Sequence, residues 1–173
     1  ANVALDTVKN YWKSLVSQVT ISTPDKSMDF LCNSWLKYQT ISSRLWSKCG
    51  YYQSSGAIGF RDQLQDSQIY LPFEPEKTKQ QILLHARHQF ANGTVYHYWD
   101  PLTDEGKKSD FSDDLLWLPF VTVNYLKETA DFSLLNTKEP FIDADEDSVY
   151  DHCKRAIECS LSRFSKRGLP LIG

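Results

Sequence analysis

Apolar positions recur at helical spacing along most of this chain. Leu5, Val8, Trp12, Leu15, Val16 and Val19 share one face and predict an amphipathic helix over about residues 3–18. Thr23 followed by Pro24 reads as a helix start, with Thr23 as N-cap and proline at the first helical position. The helix that follows carries Leu31, Trp35, Tyr38, Ile41 and Leu45 and should stop near Cys49 and Gly50. A further helix is predicted from about Arg61 to Leu71, broken by Pro72 and Pro75. Residues 76–90 predict another, with Ile82, Leu83, Ala86 and Phe90 on one face.

Beyond Asn92 and Gly93, which mark a turn, the pattern weakens. Residues 94–99 fit a short strand or an extended loop equally well, and residues 100–110 read as a polar loop. Ser112 is placed to cap a helix opening with Asp113 and Asp114 and carrying Leu116, Phe120, Val123 and Leu126, kinked or delayed by Pro119. Asp143 to Asp147 reads as an acidic linker before a last helix from about Ser148 to Ser165. Helix follows helix, with polar and aromatic residues gathered in the connections. The fold class expected is all-α.

Composition narrows the function classes. A chain of 173 residues with 41% hydrophobic and 13% aromatic content can build one core. A net charge of −3 without a basic run argues against a nucleic-acid partner. No apolar stretch approaches the roughly 18–20 residues that cross a bilayer, and no basic-then-apolar leader opens the chain. Cys32, Cys49, Cys153 and Cys159 form no Cys-x-x-Cys pair, which favours reduced thiols and a cytoplasmic setting. In that setting the Asn92–Thr94 sequon reads as a turn. Both ends look cut from something longer: the start lacks methionine, and Gly168 to Gly173 is an apolar run without a closing element.

The densest candidate chemistry runs from Gly56 to Asp66. Two glycines, Gly56 and Gly59, lead into Arg61, Asp62, Gln63, Gln65 and Asp66. Glycine accepts positive φ freely, so glycines before a polar cluster suggest a backbone held for a site. Arg61 offers a planar fork of donors and the aspartates accept in pairs, a set suited to a ligand covered in hydroxyls. The plainer reading is an exposed helical ion pair between Arg61 and Asp66. Tyr52, Gln53, Trp99, Asp113 and Asp114 are further pocket candidates, since aromatic faces beside carboxylates and amides bind sugars. Against that, Trp99 and Trp117 also fit packing anchors, and Asp113 and Asp114 fit complementation of a helix dipole. Paired carboxylates for glycoside hydrolysis would be Asp62 with Asp113 or Asp114. His85, His88 and His97 fit a solvated face better than a metal site, so no metal is expected.

Several stretches resemble one known family. Asn33, Trp35, Tyr38 and Gln39, then Arg44 and Trp46, then Tyr51 through Asp66 match glycoside hydrolase family 94. So do Ile82, His88, Gln89 and Phe90, the run Ser112 to Pro119, and the terminal Gly168 to Leu171. The likeness spans almost the whole chain, and the run Gly59 to Asp66 is its most specific part. Within the family it looks nearest to the phosphorylase-like domain of cyclic β-1,2-glucan synthases and to 1,2-β-oligoglucan phosphorylases.

The resemblance implies a partial (α/α)6 barrel. Residues 1–22 would be a leading linker helix, and 23–173 roughly the first half of the toroid. It implies inverting phosphorolysis, in which phosphate attacks the anomeric carbon while one carboxylic acid protonates the leaving oxygen, giving glucose 1-phosphate. Arg61 and Asp62 would hold the glucose unit, with Gln63 and Asp66 supporting them. The family's general acid is expected beyond Gly173, so the chain alone is expected to be inactive. Cellobiose phosphorylases carry an arginine where this chain has Gly56, which turns the expectation toward β-1,2-linked glucan. The expected partners are a β-glucan oligosaccharide with phosphate or glucose 1-phosphate, with no cofactor beyond phosphate as co-substrate. A synthase parent would put the domain at the cytoplasmic face of a membrane. Half a toroid would also leave apolar faces prone to self-association. The competing expectation is a non-catalytic helical module that binds sugar or serves as structure.

Overall fold

The computed structural model describes residues 2–47 and 56–172. Tyr52, Gln53 and the helix stop expected near Cys49 lie outside the described residues.

Helix α1 (Asn2–Val16) begins the chain. A second helical run opens as α2 (Lys26–Phe30), continues through α3 (Leu36–Gln39), and is wound as π-helix at Leu31–Trp35 and Thr40–Trp46. Its N-cap is Asp25, not Thr23. The Asp25 carboxylate accepts from the backbone N–H groups of Ser27 and Met28, while Thr23 is turned aside to bond Asp29. A carboxylate two residues later satisfies more orphan donors than a hydroxyl, which moves the start past Pro24.

Strand β1 (Ile58–Gly59) leads straight into helix α4 (Phe60–Ser67), which tightens to a 3₁₀ turn at Gln68–Tyr70. Helix α5 (Pro75–Ala86) starts on its proline. It stops four residues short of Phe90, which therefore stands off the predicted face. Strand β2 (Tyr96–Trp99) resolves the open segment as extended chain, and the loop expected after it holds β3 (Gly106–Lys108). These strands form a small antiparallel sheet in the order β1, β2, β3. A 3₁₀ turn at Asp114–Leu116 precedes α6 (Trp117–Thr129). Pro119 lies in its first turn, where a missing N–H costs nothing. Ser112 does not cap it. Strands β4 (Lys138–Pro140) and β5 (Glu146–Ser148) pair within the stretch read as an acidic linker. Helix α7 (Val149–Leu161) follows, its backbone N–H at Asp151 donating to the Ser148 hydroxyl.

Among the described residues the chain is mostly helical, with two small sheets that the all-α expectation omitted. Strands of two to four residues are too short to set up a period-2 pattern. The main core joins Phe60 and Leu64 of α4, Ile82 and Ala86 of α5, Leu118 and Val121 of α6, and Val149 and Ala156 of α7. A smaller core joins α1 to the π-wound Thr40–Trp46 segment and to the 3₁₀ turn after α4 through Leu15, Ile41, Leu45 and Tyr70. Helix α6 is apolar on both sides. Its buried face carries Leu118, Val121 and Tyr125, whereas the predicted Leu116, Phe120 and Val123 are exposed. Tyr150, Ile157 and Leu161 of α7 are exposed as well. No helix among the described residues is long and apolar enough to cross a membrane.

Candidate functional site

The site starts where a strand turns directly into a helix. Gly59 is the N-cap of α4 with extended backbone, φ −84° and ψ 129°, and pairs with Tyr98 in the sheet. This abrupt junction fixes the first turn of α4. Phe60 goes inward, fully buried, with its ring edge-on to His85 at 5.1 Å. Arg61 and Asp62 are left facing an open cleft of about 640 Å³, lined also by Gln65, His97, Asp113 and Trp117. Gly56 takes φ +77°, a conformation that a side chain resists although nothing among the described residues stands near its would-be Cβ.

Arg61 does not pair with Asp66. Its Nη1 donates to Asp113 Oδ2 at 3.0 Å across the cleft, and that bond holds its pKa above the usual arginine value. Asp66 instead accepts from Arg44 Nε at 2.8 Å. Burial pushes the Asp66 carboxyl up, against the pull of Arg44. Arg44 also reaches to 3.8 Å from Asp62, and its carbonyl accepts from Gln63 Nε2 at 2.7 Å. Gln63 and Asp66 are thus clamps that fasten α4 to the π-wound end of the preceding helix. Widened turns of this kind occur often at functional sites.

Asp113 and Asp114 have different surroundings. Asp113 is on the cleft wall. Asp114 is fully buried, accepting from Ser109 Oγ at 2.5 Å and from His97 Nδ1 at 2.7 Å. Neither serves the helix dipole alone. Trp99 is 1% exposed and does not line the cleft. It is stacked on His88, with ring centroids 3.9 Å apart, and meets His85 edge-on at 5.1 Å. The packing-anchor reading of Trp99 is therefore the one realised. Trp117, by contrast, reaches the cleft.

The solvated face expected for His85 and His88 is overturned by the same packing. His85 is fully buried, and desolvation drives its pKa down to about 3. Its Nδ1 donates to the Gln81 carbonyl at 2.7 Å. In the helix expected over residues 76–90, the i,i+3 spacing of His85 and His88 could not distinguish an inward face from an outward one. Among the described residues, no group of three or more His, Cys, Asp or Glu is gathered as metal ligands. A second groove, about 430 Å³, runs between α6 and α7 and is lined mainly by Pro119, Val123, Leu126, Tyr150, Cys153 and Ile157. It lacks the dense hydrogen-bonding set of the first.

The cleft residues that sequence reasoning left out of its site are Gln65, His97 and Trp117. The sequence reads His97 as part of a solvated face and Trp117 as a packing anchor, because neither spacing nor composition marks which residues reach the ligand side. What the cleft can do is bind: it opposes a donor fork, three acceptors or amides, an imidazole and one indole face. That is a fit for a neutral polyhydroxyl ring.

Comparison with known proteins bears on that ligand class. A model described as the glycosyl hydrolase 94 superfamily, catalytic domain, matches residues 11–173. The cyclic beta-(1,2)-glucan synthase NdvB of Rhizobium meliloti is 37% identical over 187 residues, covering 98% of this chain and 7% of that protein. The N,N'-diacetylchitobiose phosphorylase of Vibrio proteolyticus is 26% identical over 97% of this chain and 24% of its own length. The solabiose phosphorylase of Paenibacillus borealis is 28% identical over 91% of this chain and 19% of its own. The chain therefore spans about a quarter or less of the relatives it matches.

Proposed function

The chain belongs to the glycosyl hydrolase 94 family, and from that premise we propose that it forms part of the glucose-holding wall of a carbohydrate-active domain. The reaction proposed for the whole protein is inverting phosphorolysis, or the reverse glycosyl transfer, on β-1,2-linked glucan. Phosphate or glucose 1-phosphate is the other partner, and no further cofactor is invoked.

The single observation that carries the reading is the Arg61–Asp113 pair with Asp62 beside it on an open cleft. Arg61 would donate to ring hydroxyls, Asp62 and Asp113 would accept from them, and Trp117 would lie against a C–H face. One general acid suffices in such a reaction, since phosphate takes the place of an activated water. This chain is given the task of holding the sugar, and turnover is a property of the whole protein. Identity to a β-1,2-glucan synthase supports the linkage.

The fold proposed for the whole domain is an (α/α)6 barrel, with residues 1–22 as a leading helix and 23–173 as part of the toroid. In that barrel the exposed apolar faces of α6 and α7 would be covered by further helices. The same faces would drive self-association of the chain in isolation.

The test is release of glucose 1-phosphate from linear β-1,2-glucan and phosphate by the full-length protein that carries this chain. Release on that substrate, and little on cellobiose, is expected. A folded protein that releases none from any β-glucan sinks the reading and favours a non-catalytic sugar-binding or structural module.

A further inference from the structure

His97 is the extra residue of a β-bulge. In the β2–β3 ladder Tyr96 faces Lys108 and Tyr98 faces Lys107, so the residue between them has no partner in β3. Bulges of this kind re-aim a side chain, and they recur next to active sites. Here the re-aimed side chain is an imidazole on the cleft, about one-third exposed.

The ring is held from its buried edge. Nδ1 lies 2.7 Å from Oδ2 of Asp114, which is fully buried and also accepts the Ser109 hydroxyl at 2.5 Å. A carboxylate only accepts, so Nδ1 carries the proton, and the neutral ring then has a bare lone pair at Nε2 on its opposite edge. Among the described residues no protein group bonds Nε2. The rest of the cleft supplies a donor in Arg61, the carboxylates Asp62 and Asp113, and the amide of Gln65. In its neutral form a ring with the proton fixed at Nδ1 is an acceptor at Nε2, which takes a hydroxyl proton and has nothing to offer an ionised phosphate oxygen.

Resting on the sugar-site reading above, we propose that His97 binds the sugar directly, its Nε2 accepting from a ring hydroxyl. Asp114 is the positioning residue that sets its tautomer and ring plane. The point of contact marks the neutral, hydroxyl-bearing end of the cleft rather than a phosphate subsite.

Two substitutions separate ligand contact from a purely structural role. In His97→Asn the amide stops at the position of Nδ1, keeping a donor for Asp114 while nothing reaches the cleft. In His97→Gln the amide reaches the position of Nε2 and leaves Asp114 without its partner. Glucose is titrated calorimetrically into the full-length protein, alongside thermal melting and glucose 1-phosphate release from linear β-1,2-glucan. The expected result is that His97→Asn melts near the wild type yet binds glucose about tenfold more weakly, the loss of one hydrogen bond to an uncharged group. His97→Gln should bind more tightly than His97→Asn and melt lower. Wild-type affinity in His97→Asn overturns the inference and leaves His97 as a structural partner of Asp114. A wild type that binds glucose but turns over no glucan removes the proposed reaction, while the Asn and Gln pair still decides the role of His97. A wild type that binds no glucose overturns both.

Discussion

Nη1 of Arg61 stands 3.0 Å from Oδ2 of Asp113, joining two walls of the cleft across 52 residues of chain. Both side chains are more than two-fifths exposed, so the pair contributes roughly 0–1 kcal/mol to stability. Its consequence is orientation: Arg61 is held with its fork over the cleft before a ligand arrives. Arg61→Lys keeps the charge and loses the fork. Glucose affinity should fall about tenfold with little change in melting temperature, as read by calorimetric titration beside thermal melting. A large drop in melting temperature would instead make the pair structural.

Asp62 stands in the first turn of α4, within 3.8 Å of Arg44 and on the cleft. If it takes ring hydroxyls in a desolvated complex, Asp62→Ala should lose about 3 kcal/mol of transition-state binding, on the order of a hundredfold in kcat/KM. Steady-state kinetics of the full-length protein on linear β-1,2-glucan measure this. Unchanged kinetics would take Asp62 out of the site.

His85 predicts a pH dependence of stability. Its pKa in the fold is driven down to about 3 by burial, against roughly 6.5 in an unfolded chain. Between these values the unfolded state binds the extra proton, so stability is full above about pH 6.5 and declines as pH falls toward 3. His152, also pushed down by burial, acts in the same direction. His85→Phe retains a ring between Phe60 and Trp99 and removes the titration. Urea midpoints measured from pH 4 to 7 should therefore slope less steeply in that variant, and an unchanged slope would exclude His85 as a source of acid sensitivity.

Two glycines with positive φ should respond differently to alanine. Gly93 turns the chain with φ +87°, and an added Cβ would run into the carbonyl of Arg155 and the side chain of Cys159 on α7. Gly56 has a similar φ but nothing among the described residues within 4 Å of that position. Gly56→Ala should cost only the left-handed strain, about 1 kcal/mol, whereas Gly93→Ala should exceed it by a further 1–3 kcal/mol or so from the clash. Urea unfolding of the two variants gives the comparison, and equal losses would mean that α7 yields freely.

The long helices and the polar run Arg61 to Asp66 were legible because they are local. Periodicity locates a helix, but the prolines mislead: Pro75 and Pro119 lie in first turns where the sequence predicts a break and a kink, and Pro24, read as a first helical position, precedes its helix. What stayed hidden depends on partners far along the chain. Arg61 could not announce Asp113 over Asp66, since i,i+5 proximity is visible in a sequence and a contact across 52 residues is not. Tyr96 to Trp99 forms a strand only because Ile58–Gly59 and Gly106–Lys108 pair with it, segments too short to declare themselves. The division between buried Asp114 and exposed Asp113 follows from the 3₁₀ turn beginning at Asp114, which composition does not reveal. Clusters were found, but not the members of each that face the ligand.

The bulge in β2 also makes chain length a constraint. With one extra residue between Tyr96 and Tyr98, His97 reaches the cleft while Trp99 still falls into the core. Side chains alternate along a strand, so deleting or adding a single residue there exchanges the faces of everything beyond it. A few positions on, the connection between β2 and β3 is exposed over Asp100 to Glu105 and carries no such parity. Natural length variation should therefore collect in that connection and spare the four residues of β2.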